Sequence, residues 1–222
     1  MSKSTDTADT TALDYEAARQ AILEAALVHV PFDGWTQGVL QQAARDAGFD
    51  KVTALRVFPG GPIEAITYWS HLADRRMLED LEKHDLAAMK VRERIATAIR
   101  VRLGRVAPHR EALSRALGVL ALPLNAGRGT ALLWRTVDAI WYAAGDTATD
   151  FNYYTKRALL AGVYSATLLH WLDDKSPGFA DSWDFLDRRI ADVMRVPKAL
   201  GEIGKRLSAL PFPFSSSRPR RF

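Results

Sequence analysis

Residues 150–171 read DFNYYTKRALLAGVYSATLLHW. In steps of four and three, Tyr153, Arg157, Leu160, Tyr164, Thr167 and Trp171 fall on one side of an α-helix. Tyr154, Ala158, Ala161, Ser165 and Leu168 run beside them. The same recurrence fills the proline-free stretches 63–107 and 124–176, and no stretch of strand length alternates strictly, so the chain is predicted to be all-α. Working outward, helices are expected over 14–29 (ended by Pro31 and Gly34), from Thr36 to Gly48, over 50–57, from Pro62 toward Leu86, and over 91–103. Later ones are expected at 110–122, 128–144, 150–173, 180–194 and 197–209.

The 222 residues suit one large domain or two small ones, and 48% hydrophobic with 25% charged residues is the balance of a folded chain. The absence of Cys excludes a disulfide framework, a thiolate nucleophile and thiolate-held metal. A net charge of +4 permits an anionic partner without requiring one. Apolar runs are interrupted too often for a membrane span, and the Ser/Thr/Asp-rich start reads as neither a secretory signal nor a transit peptide. The expected organisation is a loose leader at 1–13, a three-helix unit resembling a helix-turn-helix at 14–61, a bundle at 62–195, and an amphipathic helix with a basic tail at 196–222.

Catalytic patterns are missing. The five histidines have no metal-ligand spacing, no Glu-x-x-His pair exists, and Gly127-Arg128-Gly129 is too short for a phosphate loop. Asp173 and Asp174 read as solvated helix-end acids. No catalytic residue, metal or cofactor is expected, and the chain does not read as an enzyme. Before residue 150, Leu132, Leu133, Val137, Ile140, Trp141 and Ala144 form an apolar stripe interrupted by Arg135 and Asp138. Small residues beside large aromatics suit either a filled bundle core or an apolar cavity with polar anchors. Arg157 requires an anion, because an unpaired buried guanidinium costs several kcal/mol; Asp138, Asp146 and Asp150 are internal candidates. Lys90, Arg92, Arg94, Arg100, Arg102 and Arg105 read as a solvated helix face. Leu200, Ile203, Leu207 and Leu210 follow Val196 at helical spacing opposite Lys198, Glu202, Lys205 and Arg206. Phe212, Phe214 and three arginines come next. This stretch suits a lipid headgroup layer, the plainer alternative being a helix docked on the bundle.

Ile22-Leu23-Glu24-Ala25-Ala26-Leu27, Gly34-Trp35-Thr36 and Ala43-Ala44-Arg45-Asp46-Ala47-Gly48 resemble the start of the tetracycline-repressor (TetR) family. Phe58-Pro59 with Glu64-Ala65-Ile66 matches that family's entry into its fourth helix. The helix that would read DNA carries Leu55 in place of the family's phosphate-contacting Tyr and ends in Arg56-Val57. Lys51, Thr53 and Arg56 suit phosphate, but few groups remain to discriminate bases, so nucleic acid is not the expected partner.

The run from Trp141-Tyr142-Ala143-Ala144-Gly145-Asp146 through Asp150-Phe151-Asn152-Tyr153-Tyr154 to Arg157 resembles the ninth coenzyme-Q-biosynthesis (Coq) protein family. So do Val163-Tyr164, Trp171, Asp174-Lys175-Ser176-Pro177 and the segment from Ser182 to Ile190. The likeness covers roughly 15–195. It implies a TetR-like fold, a homodimer, and binding of an isoprenoid quinone precursor or phospholipid. It also implies assistance to the demethoxyubiquinone hydroxylase rather than catalysis. Under it, Val137, Trp141, Arg157, Leu160, Tyr164 and Trp171 become candidate lipid-binding residues, with Arg157 facing a phosphate or quinone oxygen. Asp150, Asn152, Tyr153 and Tyr154 become the hydroxylase-docking surface, and Leu200, Ile203, Leu207, Leu210, Phe212 and Phe214 the membrane contact. The implied location is peripheral on the cytoplasmic side of the inner membrane, or the matrix side in a eukaryote. The rival is a TetR-type regulator with an apolar effector pocket.

Overall fold

The computed structural model describes residues 3–145 and 151–193, with side chains from Tyr15 to Gly145 and from Tyr154 to Val193. Among the described residues there is no strand. The helices are α1 (Lys3–Asp33), α2 (Gln37–Asp46), α3 (Lys51–Val57), α4 (Pro62–Leu81), α5 (Val91–Val106), α6 (Arg110–Leu120), α7 (Ala126–Ala143), α8 (Phe151–Asp173) and α9 over 180–193.

Two boundaries differ from expectation at the start of the chain. Residues 3–13, read as loose from composition, are helical. They contain neither Gly nor Pro, Asp6 suits the positive end of a helix dipole, and extending an established helix costs far less than nucleating one. Pro31 lies within the last turn rather than ending α1. The stop is Gly34, at φ +72°, whose N–H reaches Val30 O at 2.9 Å. Further on, α4 stops at Leu81, short of Leu86, because Asp85 accepts from Ala88 N at 3.2 Å and caps a separate short turn.

Local chemistry sets the other early boundaries. Thr36 caps α2 by accepting from Val39 N at 3.2 Å. Gly48, at φ +81°, turns the chain into α3, where Asp50 accepts from Thr53 N at 2.7 Å. Ile22, Leu23, Leu40, Val57 and Phe58 form the core under α1–α3, and Met77, Ile99, Leu103, Ile140 and Leu186 the core of the bundle. The two cores are continuous. The ring of Trp35 lies tilted, 5.8 Å from that of Trp69 of α4, and donates from Nε1 to Ala112 O of α6 at 3.0 Å. Arg19 of α1 lies over Phe58 and Tyr68 while pairing with Glu64 at 2.7 Å.

The joint between α8 and α9 is built on Asp174. It accepts from Ser176 N at 2.7 Å, Ser182 N at 2.9 Å and both serine hydroxyls. Beyond it Phe179 holds a positive φ of 61°, where a bulky residue is strained. Its ring packs 5.4 Å from that of Trp171, and Arg110 lies over both while donating to Trp171 O at 2.7 Å.

Burial pushes the Asp174 carboxyl up, but the bonds from Ser176 and Ser182 outweigh it and hold the group well below the usual carboxylate range. A depressed folded-state pKa stabilises above the unfolded value of about 3.9 and is lost as pH falls through the folded value. Asp174→Asn is therefore expected to lower the melting temperature at neutral pH, with the gap to the native protein closing in acid. Circular-dichroism melts across that range check this; a constant gap contradicts it.

Candidate functional site

Helices α4 to α8 enclose a cavity of about 440 Å³. Ile66, Trp69, Leu117, Leu120, Leu132 and Leu168 supply much of its apolar wall. Small residues on α4, α6 and α7 leave the space: Ala73, Ala116 and Ala126 line it, and a Cβ on Gly129 would meet Leu120 at 3.4 Å.

A polar knot closes one part of this wall. Arg102 of α5 donates from Nε to Asp74 Oδ1 at 2.8 Å, to Ser70 Oγ at 3.2 Å, to Thr136 Oγ1 at 3.1 Å, and to the Tyr164 hydroxyl. Thr136 in turn donates to Asp74 Oδ1 at 2.9 Å. Arg102 is 5% exposed and Asp74 3%, so this ion pair is genuinely withdrawn from water. The second oxygen, Asp74 Oδ2, accepts no hydrogen bond and has the exposed Arg135 at 3.8 Å. Burial opposes the charge on Arg102, but Tyr164 and Asp74 beside it outweigh that and hold the guanidinium protonated. Burial also pushes the Tyr164 phenol up, keeping it neutral. Because that hydroxyl accepts from Arg102, its own proton is left without an acceptor among the described residues.

A second cavity, about 360 Å³, lies between the start of α5, the end of α7, α8 and α9. Val91, Ile95, Leu160, Val163, Ile190 and Val193 make it apolar. Trp141 also lines it, donating to Lys156 O at 3.2 Å.

Among the described residues, the candidates expected to share one pocket do not line a common cavity. Tyr164 lines the first cavity, and Trp141 with Leu160 the second. Val137, Arg157 and Trp171 line neither. Val137 and Trp171 are fully buried in the core, and Arg157 pairs internally with Asp138 at 2.6 Å. The reason is length: Tyr153 to Trp171 spans about 27 Å at 1.5 Å per residue, too long for one small cavity. Tyr154 is exposed, its ring 6.3 Å from that of Trp134. The side chains of Asp150, Asn152 and Tyr153 lie outside those described, as do Leu200, Ile203, Leu207, Leu210, Phe212 and Phe214.

The arginine run on α5 is only partly the solvated face expected: Lys90, Arg92 and Arg105 are exposed, whereas Arg102 is buried. Arg100 pairs with Asp187 at 2.8 Å, Arg105 with Asp80 at 2.6 Å, Arg94 donates to Ala144 O at 3.1 Å, and Arg102 is the buried anchor. The signal for Arg102 was its register: Ile95, Ile99, Arg102 and Val106 follow steps of four, three and four. Asp74 falls on the matching α4 stripe of Ile66, Ser70, Met77 and Leu81. On α3 the exposed residues are Lys51, Val52, Leu55 and Arg56, two of them apolar. Among the described residues no cluster of His, Asp or Glu is suited to a metal, and no helix is long and apolar enough to cross a membrane.

Three helices on a five-helix cavity define an all-α protein of TetR-like fold. The crystal structure of a TetR transcriptional regulator from Nitrosomonas europaea matches with a TM-score of 0.67 at 20% identity, over 79% of this chain and 97% of that one. The COQ9 family model matches residues 126–197. The ubiquinone biosynthesis protein COQ9-B, mitochondrial, of Xenopus laevis is 34% identical over 209 residues, 90% of this chain and 71% of that protein. The COQ9 proteins of Rattus norvegicus and Homo sapiens, named in the same way, are 37% and 35% identical over 82% of this chain. The chain spans 62% and 60% of their lengths. The chain belongs to the COQ9 family.

Removing one partner of a buried ion pair costs about 3–5 kcal/mol, whereas replacing both with apolar residues is often neutral. Arg102→Met is expected to lower the melting temperature by roughly 6–20 °C, and Asp74→Leu combined with it to recover most of that loss. Thermal unfolding of both variants checks this; equal melting temperatures would show that the unpaired carboxylate is not the cost.

Proposed function

We propose that the protein is a non-catalytic accessory of ubiquinone biosynthesis, which takes a prenylated quinone precursor into the cavity between α4 and α8 and presents it to the demethoxyubiquinone hydroxylase. One observation carries this reading: an apolar cavity of ligand size whose wall includes a neutral phenol with a proton left to donate. The names borne by its relatives support the pathway.

The charge balance of the knot supports the class of guest. Arg102 is already neutralised by Asp74, so a phosphate brought beside it would arrive unpaired in an apolar space, at a cost of several kcal/mol. A quinone carbonyl or a methoxyphenol oxygen needs only the Tyr164 proton. The head is therefore neutral and oxygenated, and the prenyl chain runs toward the end of α6. Exposed Tyr154 beside Trp134 supports a docking surface around 150–154, since partly exposed aromatics are typical of interface anchors. The amphipathic pattern at 196–210 supports attachment to a membrane. For the regulator reading, α3 offers Val52 and Leu55 where polar base-reading groups would be needed.

Tyr164→Phe is expected to weaken binding of a short-chain ubiquinone about five- to tenfold, the scale of one hydrogen bond. Quenching of tryptophan fluorescence reads it, because Trp69 lines the cavity. A polyprenyl phosphate should not compete. Tight binding of that phosphate, or unchanged quinone affinity in a folded variant, would overturn the assignment.

A further inference from the structure

Residues 112–137 hold three arginines, Arg115, Arg128 and Arg135, and neither Asp nor Glu, in a chain of 30 basic and 26 acidic residues. Between Arg115 and Arg128 lie twelve uncharged residues, 116–127. They form the end of α6, the turn at 121–125 and the start of α7. At the turn Leu122 is 55% exposed and Leu124 99%. The turn is nonetheless well formed: Asn125 donates from Nδ2 to Val119 O at 2.9 Å and from its backbone N–H to Leu122 O at 2.8 Å. Two leucines are thus held out into solvent by a braced backbone, where the hydrophobic effect favours a cover.

The same hairpin is a wall of the larger cavity. Ala121, Ala126 and Thr130 both line it and are exposed, as is Leu169 across from them on α8. The cavity therefore opens beside the leucine tip. Arg115 and Arg128 are exposed on either side of it. Arg135 lies back along α7 beside Asp74, and Arg115 pairs with Glu111 at 3.3 Å, which leaves Arg128 as the charge nearest the tip that a second copy packing here about a two-fold axis would bring against its like. A bilayer containing anionic lipid presents the opposite charge and an apolar layer beneath it.

We infer that the α6–α7 turn is a lipid-inserting portal: Leu122 and Leu124 enter the boundary of an anionic bilayer while Arg115 and Arg128 meet its headgroups. A prenyl guest then passes between bilayer and cavity without crossing water. The passage of a guest rests on the cavity reading above; the insertion of the turn does not.

The full chain lacks Cys, so Leu124→Cys places one environment-sensitive nitrobenzoxadiazole label at the tip, and Lys51→Cys places one on α3 as a control. With vesicles of phosphatidylcholine and phosphatidylglycerol, whose anionic headgroups attract basic residues, the label at 124 should shift to the blue and be quenched by a doxyl lipid. The label at 51 should do neither. An aqueous spectrum at 124 on protein that floats with the vesicles overturns the portal, as does a blue shift that grows with protein concentration in their absence. The pair Leu122→Asp and Leu124→Asp should slow uptake of a long-chain ubiquinone from the same vesicles roughly tenfold, leaving affinity for the short-chain quinone in solution unchanged. Unaltered uptake overturns the portal. Failure of the native protein to bind the short-chain quinone overturns the cavity reading, while the label at 124 still decides insertion.

Discussion

The bundle depends on an ion pair that gains little by itself. Withdrawing a guanidinium and a carboxylate from water costs about what their attraction returns, and an apolar replacement of the same shape is often as stable. What the Asp74–Arg102 pair does add is geometry. To satisfy the guanidinium, Ser70 and Asp74 must come from α4, Thr136 from α7 and Tyr164 from α8, all meeting Arg102 of α5. Four helices are thereby held at spacings set by polar contacts rather than by how closely their apolar faces can collapse. Space remains beside the knot because Ala73, Ala116 and Gly129 supply too little volume to fill it.

Features fixed by neighbouring residues were legible in the sequence. Thr36, Asp50 and Pro62 announce helix starts through chemistry that acts within one turn, and the structure places α2, α3 and α4 there. Steps of three and four identified the helices but not which faces meet. Leu160 and Trp171 read as one stripe; their separation into cavity and core depends on where neighbouring helices cross, which is a property of the whole bundle. Arg157 showed the same limit in another form, since need for an anion was readable whereas the choice of Asp138 required two helices side by side. Arg102 was misread because an arginine-rich run has the composition of a wet surface. Position on the apolar stripe outweighs composition there, and its partner Asp74 breaks the matching stripe on α4.

The cavity is also in mechanical contact with the first three helices. Trp69 lines it on one side and meets Trp35 on the other, and Trp35 holds the backbone of α6 at Ala112. His109, at the start of α6, lies edge-on to Trp69 with ring centroids 6.5 Å apart. A rotation of Trp69 would be felt at both ends of this chain of contacts, because packed aromatic rings have few alternative arrangements.

That linkage bears on the leading helices themselves. The indole of Trp35 donates to a carbonyl of the cavity-bearing half, so excising the leading helices would cost Ala112 O its second donor and strip the flank of Trp69. They are masonry for the cavity whatever else they do.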